Sequence, residues 1–153
     1  MNIVQCDHCG KKNRVPTTVR GSPRCAQCHR PLPWITDAGD GDFAEIADQS
    51  TIPVLVDLWA PWCGPCRMVS PALERLAHEL AGRIKLVKVN VDTAPMTGQR
   101  FVVQGIPTLL LLDRGQVIAR QTGAAPEPAL RAWIEQGLGG RGADAGVGTP
   151  GTG

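Results

Sequence analysis

In most of the chain, hydrophobic positions repeat with one of two periods, one typical of strands and the other typical of helices. Residues 53–59 form an apolar run that only Asp57 interrupts, which predicts a strand buried on both faces. After Cys66, apolar residues recur at helical spacing as far as Leu80, and residues 126–138 show the same spacing. Each of these two segments is therefore predicted to form an amphipathic helix.

The segments between and after these elements complete a sheet. Residues 84–91 alternate between apolar and polar and predict a strand, whereas residues 93–101 are mostly polar and predict a short helix. Residues 109–112 predict a further strand, and residues 116–121 predict the strand that pairs with it after a turn. With a helix expected before residue 53, this order predicts an α/β domain whose mixed sheet is parallel through the helical crossovers and antiparallel at the closing hairpin.

The composition divides the chain into three parts. Residues 1–30 contain six basic side chains, one acidic side chain and few apolar residues, so they cannot form a core without help. Residues 31–139 contain the regular apolar segments and are predicted to form the main domain. Residues 140–153 are rich in glycine and lack apolar periodicity, which predicts a flexible tail.

Charge and hydropathy restrict the classes of partner. The net charge of +2 is too small to indicate binding to nucleic acid or to a membrane surface. No apolar run reaches the length of about 18 residues that spans a bilayer, and the first residues lack the pattern of a secretory signal. We therefore expect a cytoplasmic protein that does not bind membranes or nucleic acid.

The six cysteines occur as three Cys-x-x-Cys pairs. The first two pairs, Cys6 with Cys9 and Cys25 with Cys28, have the spacing of a four-cysteine zinc site. A closed set of four thiolates leaves no position for water or substrate, so the predicted role of one zinc ion is structural. Metal binding would supply the folding free energy that a short segment without a core lacks.

The residues around these two pairs support the prediction and leave two alternatives open. Gly10 and His29 follow directly after the pairs and suit the positive φ that such turns often need. The four thiols could instead form disulfides, which a reducing compartment disfavours. His8 or His29 could also replace a cysteine ligand, although a complete cysteine set is present.

The third pair lies in the segment Trp62-Cys63-Gly64-Pro65-Cys66, between the predicted buried strand and the predicted helix. Cys63 is expected to be exposed at the helix N-terminus, where the peptide dipoles favour a thiolate, and Cys66 to be shielded one turn further. Cys63 would then attack a substrate disulfide, and Cys66 would resolve the mixed disulfide. Because Gly64 and Pro65 bring no ionisable group, the dithiol is expected to be a reductant.

Three segments of the chain resemble the signature segments of thioredoxins, in their usual order: residues 56–68, 88–92 and 105–108. The resemblance covers about residues 31–138. Together with the preceding cysteine quartet, it makes the chain similar to thioredoxin 2, the branch of bacterial thioredoxins that carries a zinc ribbon. It implies a thioredoxin fold, a central mixed sheet flanked by helices, preceded by a small four-cysteine ribbon.

The resemblance also implies roles for single residues. Asp57 would be the buried acid that assists proton transfer to and from Cys66, with Lys88 as its neighbour, and Pro107 would be a cis-proline that faces the dithiol. The residues implied to dock the substrate are Trp62, Gly64, Pro65, Gly105, Ile106 and Gly123. Burial alone is expected to raise the pKa of Asp57. A structural ion pair between Asp57 and Lys88 is the alternative.

The function implied by the resemblance is a protein-disulfide reductase, which receives its electrons from an NADPH-dependent thioredoxin reductase and needs no bound organic cofactor. A zinc-dependent redox sensor or chaperone-like binding module, in which oxidation releases zinc and unfolds residues 1–30, is a second hypothesis. An oxidase or isomerase is a third, and a dithiol potential near −120 to −180 mV instead of about −270 mV would support it.

Overall fold

The computed structural model describes residues 2–146, and for residues 140–146 it describes the backbone only. The strands within this range are β1 (Asn2–Gln5), β2 (Lys12–Val15), β3 (Ile35–Asp37), β4 (Val54–Trp59), β5 (Lys85–Asn90), β6 (Thr108–Asp113) and β7 (Gln116–Thr122). The helices are α1 (Gly64–Glu79), α2 (Pro95–Arg100) and α3 (Glu127–Gly146), and a short π-helical turn spans Ala44–Asp48. None of the described helices is long and apolar enough to cross a membrane.

Five strands form the central sheet in the order β3, β5, β4, β6, β7. β4 is parallel to β5 and antiparallel to β6, and β7 returns antiparallel beside β6. The predicted mixed sheet is thereby confirmed. Leu55 on β4 packs with α1 and α3 on one face, while Val54 and Val56 pack on the other with the π-helical turn and with the two residues that flank α2, Ala94 and Phe101. Because side chains alternate along a strand, Asp57 lies on the same face as Leu55, beneath α1.

Three local features differ from the sequence-based expectation. The predicted first helix is only the π-helical turn Ala44–Asp48, and the strand Ile35–Asp37 was not expected, because three residues are too few to display a period. The last helix continues to Gly146, so residues 140–146 of the predicted flexible tail have a helical backbone, which the sequence pattern did not predict. Glycine disfavours a helix without forbidding it, and no proline lies between Pro128 and Pro150. The remainder of the predicted tail, residues 147–153, lies outside the described residues.

The N-terminal segment forms a two-stranded ribbon that packs on the main domain. β1 pairs antiparallel with β2, and the small core of the ribbon continues past residue 30 to include the buried residues Leu32 and Trp34. Lys85, at the start of β5, is fully buried and donates hydrogen bonds to the backbone carbonyls of Val19 and Arg20. The segment between β2 and Cys25 therefore covers the Lys85 side chain and supplies its hydrogen-bond acceptors.

A side-chain contact shows at which end of α1 the ribbon lies. Asp7, between the first two cysteines, contacts Nδ1 of His78 in the last turn of α1 at 2.8 Å. Cys63 caps the other end of the same helix. At 1.5 Å per residue, the two ends of α1 are separated by roughly 20 Å. The ribbon and the Cys63–Cys66 pair thus occupy opposite ends of the molecule.

Candidate active site and metal centre

The third cysteine pair forms a disulfide at the start of α1. Cys63 is the N-cap of this helix, its Cα lies 5.3 Å from that of Cys66, and Pro65 occupies the first turn, where a missing N–H costs nothing. The backbone N–H of Cys66 donates to Sγ of Cys63 at 3.2 Å. The helix terminus therefore offers Cys63 a backbone N–H that has no acceptor within the helix, together with the positive end of the helix dipole.

The prediction that Cys63 is exposed and Cys66 is shielded is wrong. Cys63 and Cys66 are each only 4% exposed, because Ala60 is buried against them and Trp59 and Ile106 pack around them. The two sulfurs differ instead in what lies behind them. Cys66, but not Cys63, lines a cavity that is partly open to solvent beside Pro61 and Arg67, so the pair is asymmetric by position on the helix and not by exposure.

The cavity behind Cys66 has a volume of about 320 Å³ and contains the predicted acid. Asp57 is 2% exposed, and its Oδ1 atom has no hydrogen-bond partner within the described part of the chain. Desolvation raises the pKa of Asp57 to about 6, the positive charge of Lys88 opposes that rise, and the negative charge of Glu74 adds to it. The site therefore holds a carboxyl group that can gain or lose a proton near neutral pH.

Lys88 lies beside Asp57 in the β4–β5 register but makes its polar contacts elsewhere. Its Nζ atom donates to Oγ of Ser70 at 2.8 Å and lies 3.3 Å from Oε2 of Glu74. The ion pair of Lys88 is thus with Glu74, and the alternative of a structural pair with Asp57 is not observed. Sequence reasoning missed Ser70 and Glu74, although their positions four and eight residues after Cys66 place all three on one face of a helix.

The Ile106–Pro107 peptide bond is cis, as the resemblance implied. Pro107 is buried, and its carbonyl oxygen accepts a hydrogen bond from the backbone N–H of Gly123 at 2.8 Å. Gly123 has a φ of 91°, a conformation that favours glycine. This contact places the predicted docking residue Gly123 directly beside Pro107.

A surface groove of about 600 Å³ runs next to the disulfide. Three of the predicted docking residues, Trp62, Gly105 and Ile106, line it. Trp62 is 69% exposed, and its indole N–H donates to Oδ2 of Asp92 at 3.0 Å, which fixes the ring at the edge of the groove. Sequence reasoning assigned no role to Asp92.

Gly64 and Pro65 occupy a different place from the other predicted docking residues. Both are exposed in the first turn of α1, next to the disulfide, and neither lines the groove or the cavity. Asp57 and Lys88 line the cavity behind Cys66, and Ile106, which precedes Pro107, packs against the two cysteines. The structure therefore gathers all of the predicted redox and docking residues at one end of the sheet.

The remaining four cysteines converge in the ribbon. Cys6, Cys9, Cys25 and Cys28 are not bonded to one another, and their Sγ atoms all lie within 4.8 Å. Two of the separations are 3.6 Å, between Cys6 and Cys28, and 3.5 Å, between Cys9 and Cys25. Four ligands in a tetrahedron with Zn–S distances of about 2.3 Å lie about 3.8 Å apart, so the donor set fits a four-coordinate zinc ion.

The backbone around the quartet has the expected conformation. Gly10 and His29 have φ values of 79° and 65°, which confirms the positive φ predicted after each pair. Nδ1 of His8 contacts Nη1 of Arg30 at 3.2 Å. The candidate metal-binding group found among the described residues consists of the four cysteines and includes no histidine.

Comparisons with known proteins agree with this geometry. The chain matches the family model of thioredoxin over residues 34–136. It is 52% identical over 97 residues to the thioredoxin of Haemophilus influenzae, which covers 63% of this chain and 91% of that relative. It is 36% identical over 140 residues to thioredoxin C-3 of Corynebacterium nephridii. This match covers 89% of this chain and 95% of that relative, so it extends into the ribbon. The chain belongs to the thioredoxin family and is a thiol–disulfide oxidoreductase.

Proposed function

We propose that this protein reduces disulfides in other proteins through Cys63 and Cys66. The observation that supports this most directly is the position of the disulfide, at a helix N-terminus between an apolar groove and a cavity that contains Asp57. The groove can hold a substrate segment, the helix terminus can stabilise a thiolate, and the buried acid can exchange a proton. The rate of dithiol–disulfide exchange depends on the thiolate fraction of the attacking sulfur and on its access to the substrate disulfide, and these features supply both.

In the first step, the Cys63 thiolate attacks one sulfur of the substrate disulfide. A new S–S bond forms between Cys63 and the substrate, and the second substrate sulfur leaves as a thiolate that takes up a proton. The Cys66 amide, which already donates to Cys63 Sγ, supports the negative charge before the attack. Trp62, Gly105 and Ile106 hold the substrate chain beside the disulfide, and Gly64, Pro65 and Gly123 border the same surface.

In the second step, Cys66 loses its proton to Asp57 through the cavity and attacks Sγ of Cys63. The Cys63–Cys66 disulfide forms, and the remaining substrate sulfur leaves and is protonated. The substrate has then gained two electrons and two protons, and the protein dithiol has lost them. A carboxyl group with a pKa of about 6 suits this transfer, because it is ionised at neutral pH and is still an effective base. Lys88, Ser70 and Glu74 set the electrostatic environment of that carboxyl group.

Membership of the thioredoxin family implies two kinds of partner, a thioredoxin reductase that returns the disulfide to the dithiol and proteins that carry disulfides. We propose that NADPH is the source of the electrons and that the protein works in the cytoplasm. Four cysteines placed to bind one metal ion are the arrangement expected of a reducing compartment, where thiols are not consumed by disulfides.

We also propose that the quartet holds one structural zinc ion. The unbonded sulfurs and their near-tetrahedral separations support zinc as the ligand of this donor set. Zinc would supply folding free energy to the ribbon and would take no part in the exchange reaction, because the ribbon lies at the opposite end of α1 from Cys63.

The test is the reduction of insulin by the dithiol form of the protein, with Cys63→Ser and Cys66→Ser as variants. We expect Cys63→Ser to abolish turnover and Cys66→Ser to accumulate a mixed disulfide between Cys63 and the substrate, visible by mass spectrometry. Failure of the wild-type protein to reduce insulin, or mixed disulfides on Cys66 in the Cys63→Ser variant alone, would contradict the assignment. A measured potential in the range of about −120 to −180 mV would favour an oxidase or isomerase instead.

A further inference from the structure

Val102, in the loop after α2, has a backbone conformation that valine rarely adopts. Its φ is 53°, in the left-handed region, where a β-branched side chain is strongly disfavoured. The N–H of Val102 donates to the carbonyl of Gln99 at 3.1 Å, and the N–H of Val103 donates to the carbonyl of Gly98 at 3.0 Å. These two bonds form a Schellman motif that ends α2, and the position of Val102 in that motif is usually occupied by glycine.

The side chain of Val102 does nothing for the fold that would explain this conformation. It is 66% exposed, so it buries little apolar surface within the chain. The helix end is held by the backbone bonds of Gln99 and Gly98, which a glycine at position 102 would preserve. A disfavoured conformation at an exposed residue indicates a role outside the folding of the chain.

The exposed side chain of Val102 lines the groove beside the disulfide. The apolar residues that share this lining are Trp62, Val91, Pro95, Val103 and Ile106. The polar side chains of the lining, Gln99 and Gln104, are uncharged, and the carboxylate at the edge of the groove, Asp92, is hydrogen-bonded to the indole N–H of Trp62. The groove therefore favours an uncharged, apolar partner side chain, because a charge buried among the lining residues would find no counter-charge among them.

We propose that Val102 is a specificity-determining contact of this protein, which binds an apolar side chain close to the attacked cysteine of the substrate protein. The proposal rests on the proposed function, because it assumes that a substrate disulfide reaches Cys63 along this groove. Apolar contact with Val102 removes water from both side chains, whereas a lysine at the same place would lose hydration without gaining a partner. Contact with the substrate thus gives the side chain of Val102 a role that the fold does not.

The experiment compares two disulfide-linked peptide dimers that differ only in the residue next to cysteine, which is leucine in one and lysine in the other. The second-order rate constant for reduction of each dimer is measured with the pre-reduced full-length protein. The variants are Val102→Gly and Val102→Thr. Arg114→Gly is the matched control, since Arg114 also has a positive φ, 52°, but lies in the β6–β7 turn, at the other end of β6 from the cis-proline.

We expect the wild-type protein to reduce the leucine dimer about tenfold faster than the lysine dimer, a factor that the burial of one valine side chain can supply. Val102→Gly should reduce this preference to about twofold without lowering the midpoint of thermal unfolding. Val102→Thr, which keeps the β-branched shape, should give an intermediate preference, and Arg114→Gly should keep the wild-type preference. An unchanged preference in Val102→Gly, or an equal loss in Arg114→Gly, would overturn the assignment of Val102. A wild-type protein that reduces neither dimer would overturn the proposed function as well.

Discussion

At the scale of single residues, Asp57 has the most unusual environment in the site. It is almost fully buried, one of its oxygens has no partner among the described residues, and its pKa is raised to about 6. Because this pKa lies above that of an aspartate in the unfolded chain, the folded state binds more protons between pH 4 and pH 6, and the free energy of unfolding falls as the pH rises through that window. Ionisation of Asp57 at neutral pH therefore lowers the free energy of unfolding.

Replacement of Asp57 by asparagine should increase the stability of the fold and slow the reaction. We expect Asp57→Asn to raise the free energy of unfolding by about 2–3 kcal/mol at pH 7, and by much less at pH 4, where the carboxyl group is already neutral. The same variant should resolve mixed disulfides more slowly above about pH 6, where Asp57 serves as a base. Urea unfolding at both pH values and rapid-mixing kinetics are the measurements. Asp37→Asn, at an exposed position, is the control, and a wild-type pH–rate profile in Asp57→Asn would exclude proton transfer by Asp57.

At the scale of elements, α1 organises the site by its periodicity. Cys66, Ser70 and Glu74 recur at every fourth position and lie on the face of α1 that covers Asp57 and Lys88. The long periodic segments were predictable because each carries several repeats of its own pattern. The three-residue strand Ile35–Asp37 was not, since its conformation comes from pairing with β5 and not from a local pattern.

The contact between α1 and β5 should control the titration of the buried acid. Glu74→Gln removes a negative charge and frees Lys88 from its ion pair, and both changes favour the ionised form of Asp57. We expect an NMR titration of the Asp57 carboxyl carbon to show a lower pKa in this variant. Glu79→Gln is the matched control, because Glu79 lies on the same helix but pairs with Arg131. A higher pKa, or an equal decrease in both variants, would contradict the role given to Glu74.

At the scale of the whole molecule, the ribbon and the disulfide are held apart by the length of α1. Lys85 and the Asp7–His78 contact attach the ribbon to the far end of the main domain. Sulfurs so far apart cannot exchange directly. The division of the chain between residues 1–30 and 31–139 remains a prediction, and deleting residues 1–30 would expose Lys85, which is buried against the carbonyls of Val19 and Arg20.

Removal of metal from the quartet distinguishes the structural role from the sensor hypothesis. After treatment with a chelator, we expect residues 2–34 to lose protection from hydrogen exchange, while the rate of insulin reduction stays within about twofold of the untreated protein. Zinc release, measured with a colorimetric indicator, should accompany the loss of protection. A large change in the reduction rate on metal loss would support the redox sensor instead.

The chemistry of this protein follows from short stretches of sequence. The spacing of the cysteines, the position of Cys63 before a helix and the turns at Gly10 and His29 depend on neighbours a few residues away, so they could be inferred without coordinates. The equal burial of Cys63 and Cys66, the ion pair of Lys88 with Glu74 and the place of the ribbon could not. Solvent exposure and charge pairing depend on which distant segments cover a group, and only the packed chain brings those segments together.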